Sequence, residues 1–224
     1  MDSFAREAFR LGTLSCFQHF KVEPRGREEL LLTVYAGSGP RPSQPSLQPL
    51  RSSSALPPAS PCNREASQWG VRENEATFLI GGYAHYNVPY VWVRTGHSLL
   101  GCFQLGTDSN FDAPMGLKST AAWKSQTVHV WQIVAELIAA AASPSPHNPF
   151  ALERGALERL AMPDAIFSSG ALAAFLRELL LGSPPFAAEV KDDLEAVVAF
   201  HYARLPQLAE LPSVAAQAVA PHDA

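Results

Sequence analysis

The 224-residue chain has few cysteines, few charges and no long apolar run. Its three cysteines, Cys16, Cys62 and Cys102, are odd in number and widely spaced. That excludes a disulfide framework and the paired spacing of a zinc site, and no metal or other cofactor is expected. Such cysteine usage suits a reducing cytoplasm. Lys and Arg number 17 against 21 Asp and Glu, for a net charge of −4. No basic stripe is available to neutralise phosphates, so a nucleic-acid partner is not expected. The longest apolar run, residues 133–142, is interrupted by Glu136 and falls short of the ~20 residues that cross a bilayer, so no membrane partner is expected either. The opening MDSFAREAFRLG lacks the basic-then-apolar layout of a secretion signal.

Apolar residues make up 47% of the chain, a globular share, and there are 19 prolines, unevenly placed. Residues 40–62 hold seven prolines and six serines with almost no large aliphatic side chain. Such a stretch cannot bury enough surface to offset its ordering entropy, so a flexible insertion is expected over residues 38–72. A passive linker is the expected role, with the proline pairs as a ligand for another surface as the alternative.

Around that insertion the pattern alternates between helix and strand. Phe4, Ala8 and Leu11 recur at helical spacing, predicting a first helix over residues 3–11 that ends near Gly12. Residues 16–22 alternate, Pro24-Arg25-Gly26 makes a turn, and residues 30–35 form a second strand. Residues 77–80 and 90–93 predict a third and a fourth strand, separated by Gly81-Gly82 and a polar turn. Residues 127–142 predict a helix whose only polar stripe is His129, Gln132 and Glu136, buried on most sides. Ser143-Pro144-Ser145-Pro146 ends it. Three further helices are expected over residues 150–161, 171–181 and 186–204, with a frayed tail after Pro206.

This order, and several local motifs, resemble the ubiquitin-conjugating (UBC) enzymes. Phe78-x-Ile80-x-x-x-Tyr83 followed by Asn87-Val88-Pro89-Tyr90-Val91-x-Val93-x-Thr95 resembles the family's third strand, its Tyr-Pro turn and its fourth strand. Gly101-Cys102-Phe103-Gln104-Leu105 resembles the run around the catalytic cysteine, and Trp123-Lys124-Ser125 the family's Trp-Ser-Pro. Residues 143–149 resemble its Asp-Pro-Asn-Pro turn. Cys102 and Trp123 stand 21 positions apart. Between them Asp112-Ala113-Pro114-Met115-Gly116-Leu117-Lys118-Ser119 is similar to the insertion of family members that act in degradation pathways. His97-Ser98-Leu99-Leu100-Gly101 is too short for the family's His-Pro-Asn turn, and its oxyanion-stabilising asparagine has no counterpart. With the proline-rich insertion, that pattern is similar to divergent members from bacterial ubiquitination-like operons, some of which act in phage defence.

The resemblance implies an α+β fold: a four-stranded antiparallel sheet with an N-terminal helix and C-terminal helices. Residues 1–150 would form the conjugating core, 151–206 a helical extension packed on it, and 207–224 a flexible tail. It also implies an acyl transferase. Cys102 would take a ubiquitin-like modifier as a thioester from an ATP-using activating enzyme and pass it to a lysine or other amine of a target, with or without a ligase. A thiolate suits this because it is both a good nucleophile and a good leaving group. Candidates for stabilising the oxyanion and for guiding and deprotonating the amine are His97, Asn110, His147 and Asn148.

Each residue also has a plainer reading. Cys102 could be a small hydrophobe beside a strand, His97 a turn histidine, and Trp123 packing for the cysteine loop. His147 and Asn148 could cap a helix beginning at Phe150. At the level of the whole chain, the alternative is a non-catalytic UBC-like variant that binds a ubiquitin-like protein or scaffolds a conjugation complex. An unrelated cysteine hydrolase is a third reading, although no His and Asp pair stands out.

Overall fold

A computed structural model describes residues 2–36, 74–100 and 114–209 of the chain. The expected insertion at 38–72 lies outside them, as does the tail beyond residue 209. Two compact units emerge. The first comprises Met1–Thr13 and His19–Pro149; the second comprises Leu14–Gln18 and Phe150–Ala224.

The first unit opens with helix α1, Asp2–Gly12. Phe4, Ala8 and Leu11 face inward at 0%, 4% and 2% exposure, the stripe their spacing predicts. A Cβ on Gly12 would meet Pro24 at 3.1 Å and Leu30 at 3.3 Å, so the end of α1 lies against the first hairpin. Four strands follow: β1 Phe20–Pro24, β2 Glu29–Tyr35, β3 Glu75–Gly81 and β4 Tyr90–Thr95. They form one antiparallel sheet in the order β1-β2-β3-β4. The register stacks Val22, Leu32, Phe78 and Val93 across the sheet, with Leu30, Ile80 and Val91 beside them. These side chains are buried, because alternate residues of a strand share a face. Thr77 pairs with Thr95 while Phe78 pairs with Val93, so the β3–β4 ladder is irregular at Arg94.

β1 begins at Phe20, not at Cys16 as the alternation predicts. Residues 16–18 pair instead within the second unit, which removes them from the sheet. The long connection from β2 to β3 is closed at its base: the Ala36 N–H donates to the Asn74 carbonyl at 2.8 Å. Helix α2, Lys118–Ala122, and helix α3, Val130–Ala141, complete the unit. α3 starts three residues later than its sequence pattern suggests. It buries Val130, Ile133, Val134, Leu137, Ile138 and Ala141, each worth about 1–3 kcal/mol of apolar transfer depending on size.

In the second unit the backbone of residues 16–18 runs antiparallel to residues 151–153. Gln18 N–H donates to Ala151 at 2.8 Å, Glu153 N–H donates to Cys16 at 2.8 Å, and Phe17 bridges Leu152. The helix expected over residues 150–161 is therefore only α4, Arg154–Glu158; the residues before it are committed to this pairing. α5 spans Met162–Leu181, starting earlier than expected behind a proline in its first turn, and α6 spans Ala187–Ala209. Phe17, Phe150 and Phe175 meet edge to face at 5.6–6.2 Å, an arrangement aromatic quadrupoles favour. Among the described residues no helix is long and apolar enough to cross a membrane.

Candidate functional site

Cys102 and Asn110 lie outside the described residues, so the site is built from what flanks them. The chain stops being described after Leu100 and resumes at Pro114. On the near side, β4 ends at Thr95, Gly96 turns the backbone, and His97–Leu99 form one 3-10 turn. Gly96 has φ 76°, and a Cβ there would meet the Glu75 carbonyl at 2.6 Å. Glycine is thus required twice, by conformation and by space. Leu100 is buried at 2% exposure and anchors this flank.

On the far side, the Met115 N–H donates to the Val91 carbonyl on β4 at 2.7 Å. Met115 and Leu117 are buried. α2 then starts against Glu136 of α3. That carboxylate accepts the N–H of Lys118 at 2.8 Å, the N–H of Ser119 at 3.0 Å and the Ser119 hydroxyl at 2.7 Å. Helix starts leave N–H groups without partners, and a carboxylate there also meets the positive end of the helix dipole. Of the residues resembling the degradation-pathway insertion, Met115 is thus held to β4, and Lys118 and Ser119 to α3.

Trp123 follows α2 and meets the Phe4 ring edge to face at 6.1 Å. Phe4 in turn occupies the space over Gly82 that any Cβ there would enter. A second capping carboxylate comes from α1. Glu7 Oε2 accepts the Val130 N–H at 2.8 Å, Oε1 lies 3.1 Å from His129 Nδ1, and the Gln132 amide oxygen accepts the His129 N–H at 2.8 Å. Glu7 and Glu136 were not singled out by motif. The signal for Glu136 was its place as the acidic member of an otherwise apolar helix.

The remaining candidates differ in setting. His97 is partly buried, and that burial lowers its pKa below 6.5, so the ring is held uncharged at neutral pH. His147 is exposed, whereas its neighbour Asn148 is buried at 7% exposure. Neither residue caps a helix at Phe150, since α4 begins at Arg154 with Glu153 before it. The three come from two stretches, after β4 and after α3. The thiol around which they would act is outside the described residues. Among the described residues no group of three or more His, Cys, Asp or Glu could hold a metal ion.

A second cluster was missed in the sequence. Tyr83, Tyr86, Tyr90 and Trp92 form a ring of aromatic contacts between the β3–β4 turn and β4, with centroids 5.5–6.4 Å apart. Tyr83 donates its hydroxyl to Glu29 Oε1 at 2.6 Å. Burial, and then the Glu29 carboxylate, push this phenol above its ordinary pKa. In the second unit, Ser169 Oγ is fully buried and lies 2.9 Å from His201 Nδ1. The Ser169 hydroxyl also reaches the Ile166 carbonyl at 3.0 Å, which marks a helix–helix polar contact rather than an exposed nucleophile.

Comparison with curated proteins finds no match. No solved structure matches the chain either. A family model does match, over residues 60–203, well over half of the chain, and it is described as a domain of unknown function, DUF7886. The chain therefore belongs to the DUF7886 family.

Proposed function

We propose that this protein is a UBC-like conjugating enzyme that carries a ubiquitin-like modifier as a thioester on Cys102. The observation that supports the reading is the order of its parts: a helix, a four-strand antiparallel meander, the Cys102 segment, Trp123 and a buried helix. Both flanks of that segment attach to β4, at Leu100 after its end and at Met115 on Val91.

In the first step the Cys102 thiolate attacks the thioester carbonyl on the activating enzyme and releases that enzyme's thiolate. In the second, an amine attacks the new thioester, the C–S bond breaks, and Cys102 leaves as thiolate. The amine's proton must go to a neighbouring acceptor or to water. His97, held uncharged by burial, is a group able to take it. The exposed His147 and buried Asn148 divide the acceptor side: Asn148 shapes the turn, and His147 meets the incoming amine. Without the family's asparagine, a non-catalytic binding variant of the same architecture is the second reading.

The test is incubation with a ubiquitin-like protein and its adenylating enzyme, plus ATP, read on gels with and without reductant. A reducible adduct is expected that Cys102→Ala abolishes and Cys16→Ala or Cys62→Ala keeps. An adduct persisting in Cys102→Ala overturns the assignment, and no adduct with any protein favours the binding variant. For His147→Ala, loading is expected unchanged and discharge to free lysine slower by about 10-fold, near 1.4 kcal/mol of transition-state stabilisation.

A further inference from the structure

The aromatic cluster at the β3–β4 hairpin is not among the groups assigned to the proposed thioester chemistry. Its rings are held in place from several sides. The turn is closed by Tyr86 N–H donating to the Tyr83 carbonyl at 3.0 Å, and Asn87 adopts φ 58° within it. A Cβ on Gly81 would meet the Tyr83 ring at 2.7 Å, so glycine lets that ring lie against the strand. Tyr90 and Trp92 alternate with the buried Val91 and Val93, which puts them on the opposite face of the sheet. Tyr86 is 53% exposed, and Tyr83, Tyr90 and Trp92 are half-buried. His85 stands against Tyr86 at 5.1 Å. Beside the rings, Glu28 is exposed, with Oε1 accepting the Ala84 N–H at 3.2 Å.

Close-set, pre-positioned aromatic rings are the surface that proline-rich segments recognise. Proline offers a flat apolar ring and a φ already fixed, so little ordering entropy is lost on docking. This chain carries such a segment. Residues 40–61 contain seven prolines, and their only charged residues are Arg41 and Arg51.

The reach also fits. The segment leaves the sheet at Ala36 and rejoins it at Asn74, positions joined by a 2.8 Å hydrogen bond at the start of β3. The aromatic turn follows the end of β3, seven residues along, or roughly 20 Å. Residues 37–44 alone can span about 26 Å when extended, which brings the prolines from Pro45 to Pro61 within reach of the rings, and residues 62–73 can span more. Tethering at both ends raises the effective concentration of the segment over the rings.

We propose that the Tyr83, Tyr86, Tyr90 and Trp92 face is a docking surface for the chain's own proline-rich segment, residues 40–61.

The experiment is NMR of aromatic ring signals in the full chain, compared with a full-length variant whose seven prolines at residues 40–61 are serine. Ring signals of Tyr86, Tyr90 and Trp92 are expected to differ between the two. A synthetic peptide of residues 40–61 is expected to return them saturably toward wild-type positions. Tyr86→Ala in the serine variant, an exposed change that spares the fold, is expected to weaken peptide binding about 10-fold. Circular dichroism confirms that each variant is folded. Identical ring signals in the two full-length proteins overturn the proposal. So does peptide binding to the serine variant when the proline changes are silent, since the face then serves another protein's segment. Ring shifts in wild type that depend on protein concentration overturn it as well, by pointing to a second copy.

Discussion

The Glu7 carboxylate of α1 and the His129 ring before α3 stand 3.1 Å apart, although 122 positions separate them in sequence. The same carboxylate accepts the first N–H of α3, from Val130, at 2.8 Å. A helix that begins without a Ser, Thr, Asp or Asn cap of its own thus borrows one from another element. Both side chains are only partly buried, at 21% and 37% exposure, so the cap rather than the ion pair carries most of the stabilisation. Glu7→Ala is expected to cost about 1–2 kcal/mol, and Glu7→Gln less, because the amide oxygen still accepts the Val130 N–H. Urea unfolding of the three proteins checks the ranking.

Glu136 holds two N–H groups and a hydroxyl at the start of α2. α2 has five residues, too few to form unaided in water. Glu136→Ala is expected to release α2 and the chain before it while leaving the sheet intact. Hydrogen exchange is expected to rise at Lys118 and Ser119 and stay low in β2 and β3. Equal protection at Lys118 and Ser119 in the variant would show that α2 stands without this carboxylate.

Gly82 and Phe4 share one space. Gly82→Ala places a methyl group within the Phe4 ring, and the fully buried Phe4 has little room to retreat. The expected cost is about 1–3 kcal/mol, as for other overpacked cores. Phe4→Leu in the same chain is expected to recover part of it, so the double variant should be more stable than the sum of the two single costs.

Burial depresses the pKa of His97 and of His19 below 6.5. For a base, a lowered folded pKa means that the unfolded chain binds more protons between that pKa and 6.5. Stability is then fully present above pH 6.5 and falls as pH drops below it. Replacing both residues with Gln is expected to flatten that part of the stability-against-pH curve. The curve is measured by urea unfolding between pH 5 and 7.5, values that bracket the histidine range.

Much of the first unit was legible because its elements carry their own periodicity. Phe4, Ala8 and Leu11 gave α1, and short β-rich runs bounded by turn residues gave β2 to β4. The failures are where distant partners decide. Cys16-Phe17-Gln18 alternates like the start of β1, yet pairs with residues 151–153. The helix expected from residue 171 starts at Met162, so Ser169 and Gly170 lie inside α5, with the Ser169 hydroxyl and a Gly170 Cβ position both facing His201. The caps from Glu7 and Glu136 cannot be read from the helices they serve. Cys102 was legible as a motif only, and its residues lie outside the described ones.

The pairing of Phe17 with Leu152 has a consequence during synthesis. Phe17 leaves the ribosome 135 positions ahead of its partner, an interval of roughly 7–27 s at ordinary elongation rates. Throughout that interval a phenylalanine destined for 1% exposure lacks Phe150 and Phe175, the rings that meet it in the folded chain. Nor can any single cut liberate one unit whole, because residues 14–18 are threaded through the sequence of the other. A nascent chain stalled near residue 150 would display Phe17 as a handle for chaperones, and expression of residues 1–149 alone would make that state permanent.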